Sequence, residues 1–128
     1  METTPVQTKA IVLVVEDDSI IRFLAVEFIE SAGFEVIEAE NADEAVAILE
    51  SRTDVRIVFT DVDMPGGMDG LKLAAAVRDR WPPIEIVIVS GHPRSNVILP
   101  DRAVFFPKPY DVNVVIATLR RMVAKIDR

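Results

Sequence analysis

Glu16 and Asp17, Asp61 and Asp63, Ser90, and Lys108 each follow closely on a short apolar run rich in β-branched residues. If those runs are strands of one parallel sheet, the side chains meet at one rim, because ligands bind outside the carboxyl ends of such strands. Acids crowded in that way repel one another unless a cation neutralises them. Mg²⁺ suits the set: it takes oxygen ligands in octahedral geometry, keeps several waters and leaves a position for a phosphate oxygen. In such a site Asp61 could be a carboxylate nucleophile toward phosphorus, Lys108 a counter-charge to phosphoryl oxygens, and Ser90 a hydroxyl donor to one of them. The chain has no cysteine and a single histidine, His92, which excludes thiol chemistry, disulfides and multi-histidine metal sites.

These groups need elements to carry them. Residues 10–15 form an apolar run ending in Glu16, Asp17 and Asp18, which predicts a buried strand meeting a polar edge. Apolar residues then recur at helical spacing from Ile20 or Ile21 through Leu24, Ala25, Phe28 and Ala32; Asp18 or Ser19 can cap the start, and Gly33 can take the left-handed position past the end. The unit repeats with a strand over 34–39 and a helix over 42–52, opened by Asn41 and Glu44 as a capping box. Residues 55–60 predict a third strand running into Asp61, and a helix over 70–81 follows, capped by Asp69 and ended by Pro82 and Pro83.

Residues 84–89 and 103–106 read as the fourth and fifth strands. Between them Pro93 and Pro100 leave at most 94–99 for a helix, under two turns at ~3.6 residues per turn. A last helix starts from Asp111 as a cap and carries Val112, Ile116, Leu119, Val123 and Ile126 at helical spacing. Five strands, each apolar along its length and alternating with helices, predict an α/β doubly wound five-stranded parallel sheet covered on both faces, with a shortened fourth helix.

Half of the 128 residues are hydrophobic, which is enough for one core and one domain, expected over 9–128 after a disordered or frayed stretch over 1–8. A formal charge of −7 argues against a nucleic-acid-binding surface, which relies on clustered Lys and Arg. No apolar run approaches the ~18 residues of a membrane span, and the first residues lack the order of a signal peptide. A soluble, cytoplasmic protein without membrane contact is the expectation.

Over most of its length, from about Lys9 to Ile126, the sequence resembles the receiver domains of response regulators, CheY-like proteins of two-component signalling. The resemblance lies in Val14-Val15-Glu16-Asp17-Asp18, in Asp61-Val62-Asp63-Met64-Pro65 followed by Met68-Asp69-Gly70, in Ser90 and in Lys108-Pro109-Tyr110. It implies a flavodoxin-like strand order 2-1-3-4-5. It also implies Mg²⁺-dependent phosphoryl transfer from a histidine kinase or histidine phosphotransfer protein to Asp61, with self-assisted hydrolysis later. The implied metal ligands are Asp17 and Asp61 by side chain and Asp63 by its backbone carbonyl, with Glu16 acting through water. Ser90 and Phe105 are the implied switch residues, and Lys108-Pro109 is often a cis bond in the family.

Three features depart from the family's pattern. The loop Gly66-Gly67-Met68-Asp69-Gly70 is one residue longer than the commonest form, and the segment 92–103 is shorter than usual, on a face where many receivers dimerise or signal. His92 stands where the family varies the lifetime of the acyl phosphate. The expected function is a stand-alone phosphoacceptor, acting through protein contacts with a downstream partner, possible phosphorylation-dependent dimerisation included, or as a phosphate shuttle or sink. Two alternatives remain: a receiver-like binding module that is not phosphorylated, and a phosphatase of the haloacid-dehalogenase type. An EF-hand reading of Asp61-Val62-Asp63 fails, since Lys72 occupies the position of the bidentate Glu.

Overall fold

A computed structural model of the chain describes residues 9–64, 66–92 and 98–126. The elements run β1 (Ile11–Val15), α1 (Ser19–Ser31), β2 (Glu35–Ala39), α2 (Ala42–Ser51), β3 (Val55–Asp61), α3 (Gly70–Arg80), β4 (Glu85–Ser90), β5 (Ala103–Pro107) and α4 (Val112–Ile126). The sheet is five-stranded in the order β2-β1-β3-β4-β5, and every neighbouring pair is parallel. This is the expected flavodoxin-like, doubly wound strand order. The stretch 1–8 expected to fray lies outside the described residues.

The helices begin where the local chemistry places them. Asp18 accepts from the N–H groups of Ile20 (2.9 Å) and Ile21 (3.0 Å), Asp69 from Lys72 (2.9 Å), and Asn41 from Glu44 (2.8 Å). Each such cap satisfies donors that the first helical turn leaves open and contributes about 1 kcal/mol. The capping box is displaced by one residue: Glu44 accepts from the N–H of Glu40 at 3.3 Å, not from that of Asn41. Gly33 takes φ +102° after α1, where a side chain would be strained.

Strand alternation divides the core into two layers. Leu13, Val15, Val58, Ile86 and Ile88 pack with Ala45 and Leu49 of α2 and Leu73 and Val77 of α3. Val12, Val14, Phe59, Val87 and Val89 pack with Ala25 and Ile29 of α1 and Val115 and Leu119 of α4. The three central strands β1, β3 and β4 are buried, Arg56 alone being half-buried.

The edges differ from the expectation of strands apolar throughout. Glu35 and Glu38 of β2 face solvent, and β5 is only half-buried. An edge strand has one neighbour and tolerates, or benefits from, outward charge that discourages further pairing. The short helix expected within 94–99 falls mostly on 93–97, outside the described residues, and residues 98–100 are irregular. The start of β5 is held by an arginine clamp. Arg78 of α3 donates to the carbonyls of Asp101 (2.7 Å), Pro82 (2.7 Å) and Ile84 (2.8 Å). Arg102 donates to Pro82 and stands 3.5 Å from the buried Glu85.

Candidate functional site: an acidic rim at the strand-order switch

In the order β2-β1-β3-β4-β5 the connections leave β1 in one direction and β3 in the other, so a crevice opens between the ends of β1 and β3. Glu16 and Asp17 follow β1, and Asp61 ends β3. Register brings the others alongside: Asp61 pairs with Val89 of β4, and Ser90 pairs with Pro107 of β5, just before Lys108. Lys108 N–H donates to the Ser90 carbonyl at 2.8 Å, and the Lys108-Pro109 bond is cis.

Carboxylate oxygens of Glu16, Asp17 and Asp61 lie within 4.8 Å of one another. Lys108 Nζ enters this group, 3.1 Å from Asp61 Oδ1 and 3.7 Å from Glu16 Oε1. The contact with Asp61 is one of charge, because the buried Oδ1 accepts no well-directed hydrogen bond among the described residues. Glu16 Oε2 accepts from the N–H of Asp18 at 3.0 Å.

The crowding has an electrostatic price. Burial, reinforced by the neighbouring Asp61 and Asp17 and opposed by the Asp18 N–H and Lys108, pushes the Glu16 carboxyl from 4.5 up to about 7. Burial also raises the Asp61 carboxyl, with Lys108 opposing it and Asp63 and Asp17 adding to the rise. A buried carboxylate oxygen without a directed donor, among acids held above their usual range, is the environment a hard dication relieves, and the oxygen-only donor set fits Mg²⁺.

Asp63 and Ser90 stand beside this group. The resemblance gives a role to the Asp63 carbonyl alone, but its carboxylate is engaged too: Ser90 Oγ donates to Asp63 Oδ2 at 3.3 Å, and His92 Nδ1 lies 3.0 Å from the same oxygen. The His92 N–H in turn donates to Ser90 Oγ at 3.2 Å. A lone loop histidine gave no sign of this bridge, which joins the β3–α3 loop to the end of β4. Phe105 lies on β5, half-buried against the α2–α3 layer of the core.

Three further residues support the rim. Gly70 begins α3 against β3, its N–H donating to the Val62 carbonyl at 2.9 Å, and a Cβ there would collide with the Asp61 backbone. Tyr110 packs edge-on to Phe28 and Phe59, with centroids 6.0 and 6.3 Å away. Its hydroxyl is raised by burial and by Glu16 and Asp61. Arg22 of α1 reaches back to the Glu16 carbonyl at 2.8 Å.

The sheet order and this rim of acids and lysine define a receiver domain of two-component signalling. The chain belongs to the response regulator receiver domain family, whose profile matches residues 12–120. It is 33% identical over 125 residues to the DNA-binding transcriptional regulator NtrC of Salmonella typhimurium, covering 91% of this chain and 25% of that protein. It is 34% identical over 131 residues to the sensor kinase CckA of Brucella abortus, covering 98% of this chain and 14% of that protein. Thus the chain spans a quarter or less of these relatives. The crystal structure of the receiver domain from the hybrid histidine kinase CckA superposes with a TM-score of 0.74 at 27% identity, covering 88% of this chain and 97% of that one. Among the described residues no helix is long and apolar enough to cross a membrane.

Proposed function

We propose that Asp61 accepts a phosphoryl group from a histidine kinase or histidine phosphotransfer protein, with Mg²⁺ bound beside it, and that a protein partner reads the phosphorylated domain formed by residues 9–128. The observation that carries this reading is the buried Asp61 Oδ1, 3.1 Å from Lys108 Nζ and, among the described residues, without a directed hydrogen bond. The sensor-kinase relative and the hybrid-kinase receiver structure support a histidine kinase as the donor.

Asp17 and Asp61 by side chain and the Asp63 carbonyl would hold Mg²⁺, with Glu16 acting through water. The ion would supply charge neutralisation for the phosphoryl oxygens. An Asp61 carboxylate oxygen forms the new O–P bond as the P–N bond of the donor phosphohistidine breaks, and the imidazole keeps the electron pair. Lys108 offsets charge on the transferred group. Ser90 has one hydroxyl proton, within reach of Asp63 Oδ2 at 3.3 Å and of the His92 carbonyl at 3.4 Å. To donate to a phosphoryl oxygen it must leave both, and Phe105, on the adjacent strand β5, moves with it as the second switch residue. Hydrolysis restores the carboxylate, so the protein assists its own modification and loss of phosphate and turns over no external ester.

The test is incubation with Mg²⁺ and acetyl phosphate, followed by intact mass measurement. The wild type gains one acid-stable, base-labile phosphoryl group, and Asp61→Ala gains none. A wild type that stays unmodified with both acetyl phosphate and a phosphohistidine donor overturns the proposal.

A further inference from the structure

Arg22 behaves unlike its neighbours on α1. Ile20 is 70% exposed and Phe23 and Leu24 are each 59% exposed, yet the Arg22 side chain is only 13% exposed. Its guanidinium turns back toward the rim. Nη1 donates to the Glu16 carbonyl at 2.8 Å, Nε donates to Glu38 Oε1 at 2.9 Å, and Glu40 lies 3.9 Å from Nη2. Glu16 is held from its other side as well, its N–H donating to the Ala39 carbonyl at 3.1 Å.

We propose that Arg22 is a positioning residue for the cation site, acting through the peptide that joins Glu16 to Asp17. The inference rests on the reading of this rim as a Mg²⁺ site. A peptide unit is planar, so fixing the Glu16 carbonyl fixes the plane that carries the nitrogen and Cα of Asp17. Asp17 is exposed and has little packing of its own to set its direction. Its backbone must therefore do so.

Arg22 does not replace the cation. Its charge is matched by Glu38 at Nε and Glu40 near Nη2, while Nη1 binds the Glu16 carbonyl. The planar fork is what allows one side chain to bridge a carbonyl and a carboxylate at once, and an ammonium lacks that shape. Glu38 belongs to edge strand β2, so the acidic loop after β1 is tied to the sheet through α1 and β2 together. Residues that orient metal ligands in this way commonly change metal affinity when removed.

The experiment is a calorimetric Mg²⁺ titration of the unphosphorylated chain, alongside thermal melting without metal. Arg22→Gln and Arg22→Lys should each raise the half-saturating Mg²⁺ concentration about tenfold, the lysine failing to rescue because it keeps the charge but not the fork. Arg78→Gln, at the opposite pole of the sheet, should lower the melting temperature and leave Mg²⁺ binding unchanged. Should Arg22→Gln fail to fold, Arg22→Lys alone decides. Variants at Arg22 that bind Mg²⁺ as the wild type does overturn the inference and leave the metal site standing. A wild type that takes up no Mg²⁺ removes the metal reading, and Arg22's role with it.

Discussion

Lys108 Nζ stands 3.1 Å from Asp61 Oδ1 and 3.7 Å from Glu16 Oε1, so one ammonium from the end of β5 faces carboxylates from the ends of β3 and β1. Asp17 adds a third carboxylate to the group. One cation against three acids leaves a deficit that a single dication closes, while burial first, and the neighbouring acids after it, raise the carboxyls of Glu16 and Asp61.

Lys108→Ala should therefore act on transfer more than on folding. Removing a fixed positive donor from a phosphoryl-transfer site costs on the order of a hundredfold in rate. Phosphorylation of Lys108→Ala by acetyl phosphate at saturating Mg²⁺ should slow by about that factor, with far-UV circular dichroism unchanged. A rate equal to wild type would remove Lys108 from the chemistry.

Glu16 makes metal-free stability depend on pH. Its folded-state pKa of about 7 lies above its ordinary 4.5, so between those values the native state holds a proton that the unfolded chain has lost. The stability this proton contributes is fully present below 4.5 and declines as pH rises to about 7. Melting curves across that window should fall more steeply for the wild type than for Glu16→Gln. Because Mg²⁺ binds the ionised form, its affinity should rise with pH over the same range. Parallel slopes for the two proteins would count against the raised carboxyl.

Gly70→Ala tests the approach of α3 to β3. A methyl group would lie 2.8 Å from Val62 Cα and closer still to the Asp61 carbonyl oxygen, both of them backbone that cannot swing aside. Overpacking of this kind costs about 1–3 kcal/mol and outweighs the helix-propensity gain of alanine. Urea unfolding should show that loss, and transfer to Asp61 should slow because the strand end is displaced. Unchanged urea midpoint and rate would mean that the helix start yields freely.

Arg78→Ala should lower stability without touching the rim. The substitution removes charge-assisted hydrogen bonds to three carbonyls that secure the start of β4 and β5. A loss of about 2–4 kcal/mol follows from bonds to a charged donor and the carbonyls left without it. Denaturant unfolding measures the loss, and Mg²⁺ titration at a temperature where the variant is folded should match the wild type. A stability within experimental error of the wild type would show that the clamp is idle.

Much of this architecture was legible in the order of residues. The strand and helix alternation, the caps Asp18, Asn41 and Asp69, and the turn at Gly33 depend on neighbours a few positions apart, whose geometry any chain of this composition reproduces. Placing Glu16, Asp17, Asp61, Ser90 and Lys108 at successive strand ends needed only the rule that parallel strands share a direction. The resemblance to receivers supplied the strand order.

What linear order left open was partner choice across the sheet. The exposure of Glu35 and Glu38 on β2 follows from an edge position that strand composition does not encode. The Asp63–His92 bridge, the reach of Arg22 to the Glu16 carbonyl and the Arg78 clamp join residues whose separation in the chain carries no periodic signal. Local hydrogen bonding decides which elements form, since each turn satisfies its own backbone. Burial and register, which exist once the sheet has assembled, decide which charges meet, and it is there that Glu16 acquires a pKa no isolated glutamate has.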